Sequence, residues 1–161
     1  MEYDENVMIR IRKFKEEDAN MASVVVKRSL RSIVSHGHSK QSIEDQIKCN
    51  SPKRMRERSQ YVQYFVAIEE NSIVGIGGYD HQKVHTFFVE PNRQGKGIGK
   101  ALMKKVLAEA KKKGIPSLIC WSTFPAVPFY SRLGFKPTRK IRVRGLRRLI
   151  IFQEMKKNLN E

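Results

Sequence analysis

Residues 87 to 100 read Phe-Phe-Val-Glu-Pro-Asn-Arg-Gln-Gly-Lys-Gly-Ile-Gly-Lys, an apolar strand that runs into a glycine-spaced turn and then an amphipathic helix. Gly95, Gly97 and Gly99 allow a tight turn and a close approach of backbone to a ligand. The first turn of the helix adds unpaired N–H groups and the positive end of the helix dipole, so several donors converge on one anion. Phosphate binding is the chemistry this arrangement serves. Two common nucleotide signatures are absent: Gly-x-x-x-x-Gly-Lys followed by Ser or Thr, and Gly-x-Gly-x-x-Gly with an acid about 20 positions on.

The segment Gln94-Gly95-Lys96-Gly97-Ile98-Gly99 resembles the acyl-CoA loop of the Gcn5-related N-acetyltransferases (GNAT), Gln/Arg-x-x-Gly-x-Gly/Ala, and the flanking Val89-Glu90-Pro91 and Ala101-Leu102-Met103 fit as well. A second block, Ala126-Val127-Pro128-Phe129-Tyr130-Ser131-Arg132-Leu133-Gly134-Phe135, is similar to the family's Ala-x-x-(apolar)-Tyr-x-x-x-Gly-Phe helix and turn. Tyr130 stands 31 residues after Gly99, room for one helix and one strand.

The resemblance implies an N-acetyltransferase that moves the acetyl group of acetyl-CoA to a primary amine by direct attack on the thioester. It places the donor on Phe87, Phe88, Val89, Gln94, Gly95, Lys96, Gly97, Ile98, Gly99, Lys100 and Thr123, mostly through backbone N–H groups. Pantetheine would pair with the strand ending at Val89 where that strand splays from strand 117 to 123, and a backbone N–H there would polarise the carbonyl. Tyr130 matches the family tyrosine that protonates the leaving thiolate, and a phenol of pKa about 10 is protonated at neutral pH. Thr123 stands seven residues before it, where the family often has Asn. His85 is the candidate base, nine residues before Gln94, since imidazole near pKa 6.5 accepts a proton at neutral pH; His81 and Glu69 are weaker alternatives. Cys120 has no evident activating partner and reads as a buried strand residue, with Trp121 beside it as packing or cleft lining.

The positioning elements follow from periodicity. Met8 to Phe14 alternates as a strand, and Glu16-Glu17-Asp18 opens a helix with Met21, Val24, Val25 and Leu30 apolar. After Ser35 to Ser39 a second helix starts at Ser42, which Pro52 ends or delays, followed by the basic run 53 to 58. Strands over 61 to 68 and 73 to 79 form a hairpin, and 83 to 89 is the next strand. Helix 99 to 113 buries Met103, Val106, Leu107 and Ala110 and ends at Gly114. Strand 117 to 123, helix 125 to 132 and a hairpin of 136 to 144 with 149 to 155, turning near Gly145, complete the chain. The expected fold class is α/β (α+β), one GNAT-like domain over 1 to 161, with a central mixed, mostly antiparallel sheet flanked by helices in the order β-α-α-β-β-β-α-β-α-β-β.

Length and a 40% hydrophobic content suit one globular domain with a full core. The chain has no apolar run near a membrane span and an acidic N-terminus, so a cytoplasmic protein that does not enter membranes is expected. Cys49 and Cys120 form no metal-ligand cluster and are expected as free thiols. Net charge is +16, with 13 basic against 12 acidic residues in 1 to 80 and 19 against 4 in 81 to 161. That excess favours an anionic donor and, where the resemblance implies that the acceptor enters (28 to 60 and 136 to 150), an acidic peptide or protein over a polyamine. A non-catalytic acyl-CoA sensor or nucleic-acid-binding protein on the same fold is the alternative, supported by the 53 to 58 run and the cations between Lys136 and Arg148. Acceptor identity, acyl length and the choice of monomer or homodimer stay open at this level.

Overall fold

The computed structural model describes residues 8–33, 39–144 and 149–160. Short apolar segments bounded by turns, with alternation in the first, build a first sheet from β1 (Arg10–Lys13), β2 (Gln63–Glu69), β3 (Ser72–Tyr79) and β4 (Val84–Val89), paired in that order and antiparallel throughout, with β2 and β3 buried on both faces. The β2–β3 turn runs through Glu70 and Asn71 with φ of 48° and 64°, the left-handed pair whose twist matches that of the strands. A second antiparallel sheet has the order β5–β7–β6, from β5 (Ser117–Ser122), β6 (Lys136–Arg144) and β7 (Leu149–Asn158). The expected strands are thus divided between two sheets. They meet at one parallel bridge, Lys83 to Ile119, where Ile119 N–H donates to the Gln82 carbonyl at 3.0 Å.

Helices cover both faces. On one, α1 (Ala19–Ser32), α2 (Lys40–Cys49) and α3 (Pro52–Arg58) bury Ala22, Val26, Leu30, Ile43 and Met55 against Val66 and Ile76. On the other, α4 (Ile98–Lys112) and α5 (Val127–Arg132) bring Leu102, Met103, Val106 and Tyr130 against Phe65, Val84, Leu118 and Met155. In α4 the expected Met103, Val106 and Ala110 are buried, while Leu107 is only partly so.

Three expectations change. Pro52 opens a third helix: it stands first in α3, where its missing N–H costs nothing, behind Ser51, whose Oγ accepts from Arg54 N–H at 3.3 Å. The element order is therefore β-α-α-α-β-β-β-α-β-α-β-β. Met21 and Val24 face solvent, 48% and 42% exposed, and the buried stripe of α1 is Ala19, Ala22, Val25, Val26, Ser29 and Leu30. Asp18 sets this phase, because it is buried at the helix start and tied to β1. The expected turn at Gly145 and the interruption at 35 to 38 lie outside the described residues. Among the described residues, no helix is long and apolar enough to cross a membrane.

Arg12 donates to both Asp18 oxygens, at 2.7 and 2.9 Å, and Lys15 N–H donates to Oδ2 at 2.8 Å. These bonds, Arg12 foremost, hold the carboxyl below its usual pKa against the opposing effect of burial. A depressed carboxylate stabilises the fold fully above its unfolded pKa of about 4, and that stabilisation is lost as pH falls through the lower folded value. Asp18→Asn is expected to lower the unfolding free energy by about 1–3 kcal/mol at pH 7. In urea titrations the gap between variant and parent should close as the pH is taken below about 4.

A candidate active site where two strands part

Beyond the Lys83–Ile119 bridge, β4 pairs with β3 on one edge and, among the described residues, with no strand on the other. An extended ligand can take that free edge. At its open end Val89 leads through a turn at Pro91–Arg93 into α4. Gly95 and Gly97 hold φ of 78° and 85°, with nothing within 4 Å of where a Cβ would be. Conformation, not space, demands glycine there. Gly97 caps α4 without a side-chain hydrogen bond, and the first turn carries no acid, so the N–H groups around Ile98, Gly99 and Lys100 are left for an anion. These residues fit the pyrophosphate of CoA.

The loop residues divide by task. Lys96 and Lys100 are exposed, Ile98 is buried, and Gly99 lies against Phe129. Gln94 turns back, its Nε2 donating to the Val89 carbonyl at 3.2 Å, and so braces the turn. Glu69, one of the alternative bases, pairs with Arg93 at 3.0 Å and serves the same loop. His81 is exposed in the turn before β4.

Midway along β4 the register with β3 shifts between Ile76 and Gly78, and Thr86 takes φ of 46°, uncommon for a β-branched residue. Gly77 allows this, since a Cβ there would lie 2.5 Å from the Phe87 ring. From the α1–α3 side, Arg58 donates to Thr86 Oγ1 at 2.8 Å, Thr86 donates to Asn50 Oδ1 at 3.2 Å, and the Tyr64 hydroxyl lies 3.1 Å away. Arg58 also donates to Asn50 Oδ1 at 3.1 Å and to the Cys49 carbonyl. It is a strut between α2, α3 and the bulge. Arg56 likewise turns inward, donating to the Glu16 carbonyl and to Asn20 Oδ1, both at 3.2 Å. The 53 to 58 run is therefore not one solvated basic stripe.

The bulge separates the side chains of β4. Val84 and Phe87 pack toward α4 and α5, whereas Thr86 and Phe88 face the α1–α3 side. His85 precedes the bulge, with Nε2 at 2.7 Å from Asp80 Oδ2. Burial pulls His85 below its usual pKa, although Asp80 pulls the other way. Burial also opposes the Asp80 carboxylate, yet His85 and the N–H groups of Gln82 and Lys83 together keep its pKa low. The ionised Asp80 must accept, so neutral His85 donates from Nε2 and keeps a lone pair on Nδ1. Beside this dyad, Lys83 Nζ lies 3.0 Å from the centroid of the Trp121 ring, and burial brings its pKa down to about 8.

Tyr130 sits on the opposite face, 7% exposed, among the rings of Phe87, Phe129 and Phe135 at 5.2 to 6.3 Å and close to Cys120. It spans the seam between β4 and β5. Burial lifts its pKa far above that of a free phenol, so the hydroxyl stays protonated. Thr123 ends β5 at the first turn toward α5, its carbonyl accepting from Ala126 N–H at 3.1 Å. Burial pushes the Cys120 thiol up to about 12, which removes it as a thiolate nucleophile. Trp121, 37% exposed, stacks on Phe152 at 6.4 Å and donates from Nε1 to Glu154 at 3.3 Å.

Sequence reasoning passed over Asp80, Lys83, Arg58 and Glu154. Asp80 had a local signal, since Asp before a turn commonly binds N–H groups two or three residues on; its bond to His85 did not. Glu154 is the only acid between 110 and 160, in an otherwise basic strand pair. In the sequence Arg58 is part of the basic 53 to 58 run and Lys83 begins a strand, with no signal of the contacts either makes.

Two sheets parted at one bridge, with a glycine-spaced helix start at the open end, define the acetyltransferase class of fold. Residues 34–159 match the family model described as an acetyltransferase (GNAT) domain, and the chain belongs to that family. Its fold is similar to that of a GCN5-related N-acetyltransferase from Rhodopseudomonas palustris, with a TM-score of 0.86 and 16% identity over 92% of this chain and 94% of that one. The PaiA N-acetyltransferase of Thermoplasma acidophilum, in complex with coenzyme A, gives 0.78 and 22% over 94% and 99%. An uncharacterized N-acetyltransferase of Methanocaldococcus jannaschii is 37% identical over 89 residues, 53% of this chain and 38% of that protein. The matched stretch thus spans well under half of that relative.

Forcing a Cβ into the left-handed conformation of Gly97 costs about 1–2 kcal/mol. Gly97→Ala is expected to weaken acetyl-CoA binding about tenfold, read by calorimetry. An unchanged dissociation constant would remove this turn from the donor site.

Proposed function

We propose that this protein transfers the acetyl group of acetyl-CoA to a primary amine, of a peptide, a protein or a small molecule, by direct attack of the amine on the thioester. The observation that carries this reading is the placement of a proton acceptor and a proton donor on opposite faces of one gap. Val84 packs toward α4 and α5, so His85, next on the strand, points to the other face with Asp80 at 2.7 Å from its Nε2, and Tyr130 lies on the α4–α5 side. An amine entering beside His85 loses its proton to Nδ1, while Tyr130 supplies one to the sulfur that departs.

The donor, when bound, supplies the activated thioester carbonyl. Gly95, Gly97 and the first turn of α4 hold its phosphates, the free edge of β4 aligns its arm, and Phe87, Phe88 and Val89 border it. Lys96 and Lys100 add positive charge at the phosphate end, and Thr123 offers a hydroxyl where β5 leaves the cleft. A backbone N–H at the Thr86 bulge is the donor to the carbonyl oxygen. The high pKa of Cys120 supports direct transfer over a route through an acylated cysteine.

His85 is neutral down to below its ordinary value of about 6.5, so kcat/KM should fall on the acid side only below that pH. His85→Gln is expected to lower kcat about 100-fold and erase this acid limb. Asp80→Asn removes a group that raises the His85 pKa, so the limb should move to lower pH while the plateau drops. A parent-like acid limb in His85→Gln would show that another group is the base.

For Tyr130→Phe the expected result is a loss in kcat of about 100-fold with acetyl-CoA affinity kept. Because the phenol stays protonated, that loss should be the same from pH 6 to pH 9. Full activity of the variant would reduce Tyr130 to packing.

A further inference from the structure

The α1–α3 side of the cleft holds more cation than its acids neutralise. Asp80 is fully engaged, with Oδ1 accepting from the Gln82 and Lys83 N–H groups and Oδ2 from His85. Glu154 is 7% exposed and equally committed, to Thr138 at 2.9 Å, Arg139 at 3.3 Å and Trp121 at 3.3 Å. Three cations act on this small region, Lys83, Arg58 and Arg139, against those two carboxylates. Arg58 is spent on neutral acceptors in the bulge network and Arg139 on Glu154. The Lys83 ammonium, among the described residues, has neither a hydrogen bond nor an ion pair; it rests on the Trp121 ring. A partly buried ammonium with three donors and only a ring face beneath it is built to receive an anion.

Its position says which anion. Lys83 stands at the vertex where β4 leaves β5, two residues before His85. Positions two apart on a strand share a face and lie about 7 Å from each other. An amine delivered to His85 would therefore hold a group a few bonds away against Lys83. We propose that Lys83, laid on the Trp121 ring beside the Asp80–His85 dyad, selects the acceptor by binding a carboxylate carried close to the amine to be acetylated. This rests on the acetyl-transfer reading of the same cleft. The carboxylate is that of a free amino acid or of an acidic residue next to a peptide's amino terminus, and both present the same chemistry to Lys83. Burial is what lowers the Lys83 pKa, with Asp80 opposing it, and a carboxylate bound beside the ammonium would raise it again.

The test uses the full chain, acetyl-CoA and acceptor pairs with and without that charge, each rate referred to the concentration of neutral amine. Phenylalanine against phenylalaninamide probes the free amino acid, and Ala-Glu-Phe-amide against Ala-Gln-Phe-amide probes the peptide. Release of CoA thiol is followed for the parent, Lys83→Met and Lys83→Arg, with acetyl-CoA affinity and melting temperature as folding controls. The parent is expected to favour the carboxylate member of at least one pair about tenfold in kcat/KM, and the pair it favours identifies the source. In Lys83→Met that ratio should fall toward one through a higher KM for the carboxylate acceptor, and Lys83→Arg should recover part of it. A parent with no preference, or a ratio kept in a folded Lys83→Met, overturns the proposal. If acetyl-CoA binds and no amine is acetylated, the transfer reading fails. Lys83 is then judged by calorimetric titration of the same pairs into the CoA complex, where carboxylate-selective binding lost in Lys83→Met upholds its role and equal or absent binding ends it.

Discussion

A sheet that stops being a sheet halfway along is the constraint on which this molecule depends. β4 and β5 share one bridge, at Lys83 and Ile119, and then separate. Each backbone group left without a partner in a buried place costs about 1–3 kcal/mol, so an interior gap persists only if the surroundings hold it open. They do so here from both faces. The rings of Phe87, Phe129, Tyr130 and Phe135 fill the seam on the α4–α5 side, while Thr86 is clamped by Arg58, Asn50 and Tyr64 on the other. The exposed strand edge that results is matched to a ligand with amide groups of its own, as the arm of CoA has.

The same geometry sorts the chemistry. In the proposed transfer a proton leaves on the His85 side of the seam and another arrives from Tyr130, without either group crossing the sheet. Burial acts in opposite directions on the two groups placed there. It lowers the pKa of His85, which favours the neutral imidazole, and raises that of Tyr130, which favours the neutral phenol. Both are thereby held in the uncharged forms that accept and donate a proton at neutral pH. Cys120, subject to the same burial, is silenced by it.

The strong positive charge has more than one use. Arg12 anchors the start of α1 through Asp18, Arg58 braces the bulge, Arg93 ties the phosphate turn to Glu69, and Arg139 fixes Glu154 under Trp121. Much of the charge along β6 faces water instead. Arg142 and Arg144 lie opposite Ile151 and Leu149, while Ile141 and Val143 take the other face beside Phe152 and Ile150. One side of the hairpin thus mixes these arginines with the exposed Ile151 and Leu149, and the other is apolar and continues toward Trp121.

What the sequence by itself determined are the features written in neighbouring residues. The glycine spacing from Gly95 to Gly99 requires left-handed turns before a helix, the stripe in α4 requires a buried face, and the Tyr130 block fits one helix and one turn. Alternation in β1 and, for the others, apolar runs between turn residues were enough to place six of the seven strands of the described residues within a residue or two of where they lie, the last strand running on to Asn158. Only the tertiary structure decided the rest, because the deciding contacts pass between elements, whether the residues stand a few positions apart, as Arg12 and Asp18 do, or many, as Arg58 and Thr86 do. The phase of α1 was set by Asp18 meeting Arg12, not by its apolar residues alone. Pro52 reads as ending or delaying the second helix; the Ser51 cap before it is a local signal for a new helix, but that α3 is held against α1 is settled only by packing. His85 acquired its partner through the turn that folds Asp80 back over β4, Lys83 was laid on Trp121 of β5, and Arg58 left the basic run when α2 closed around it. Periodicity reports which face of an element is buried; which ionisable groups then stand together depends on how the elements are stacked.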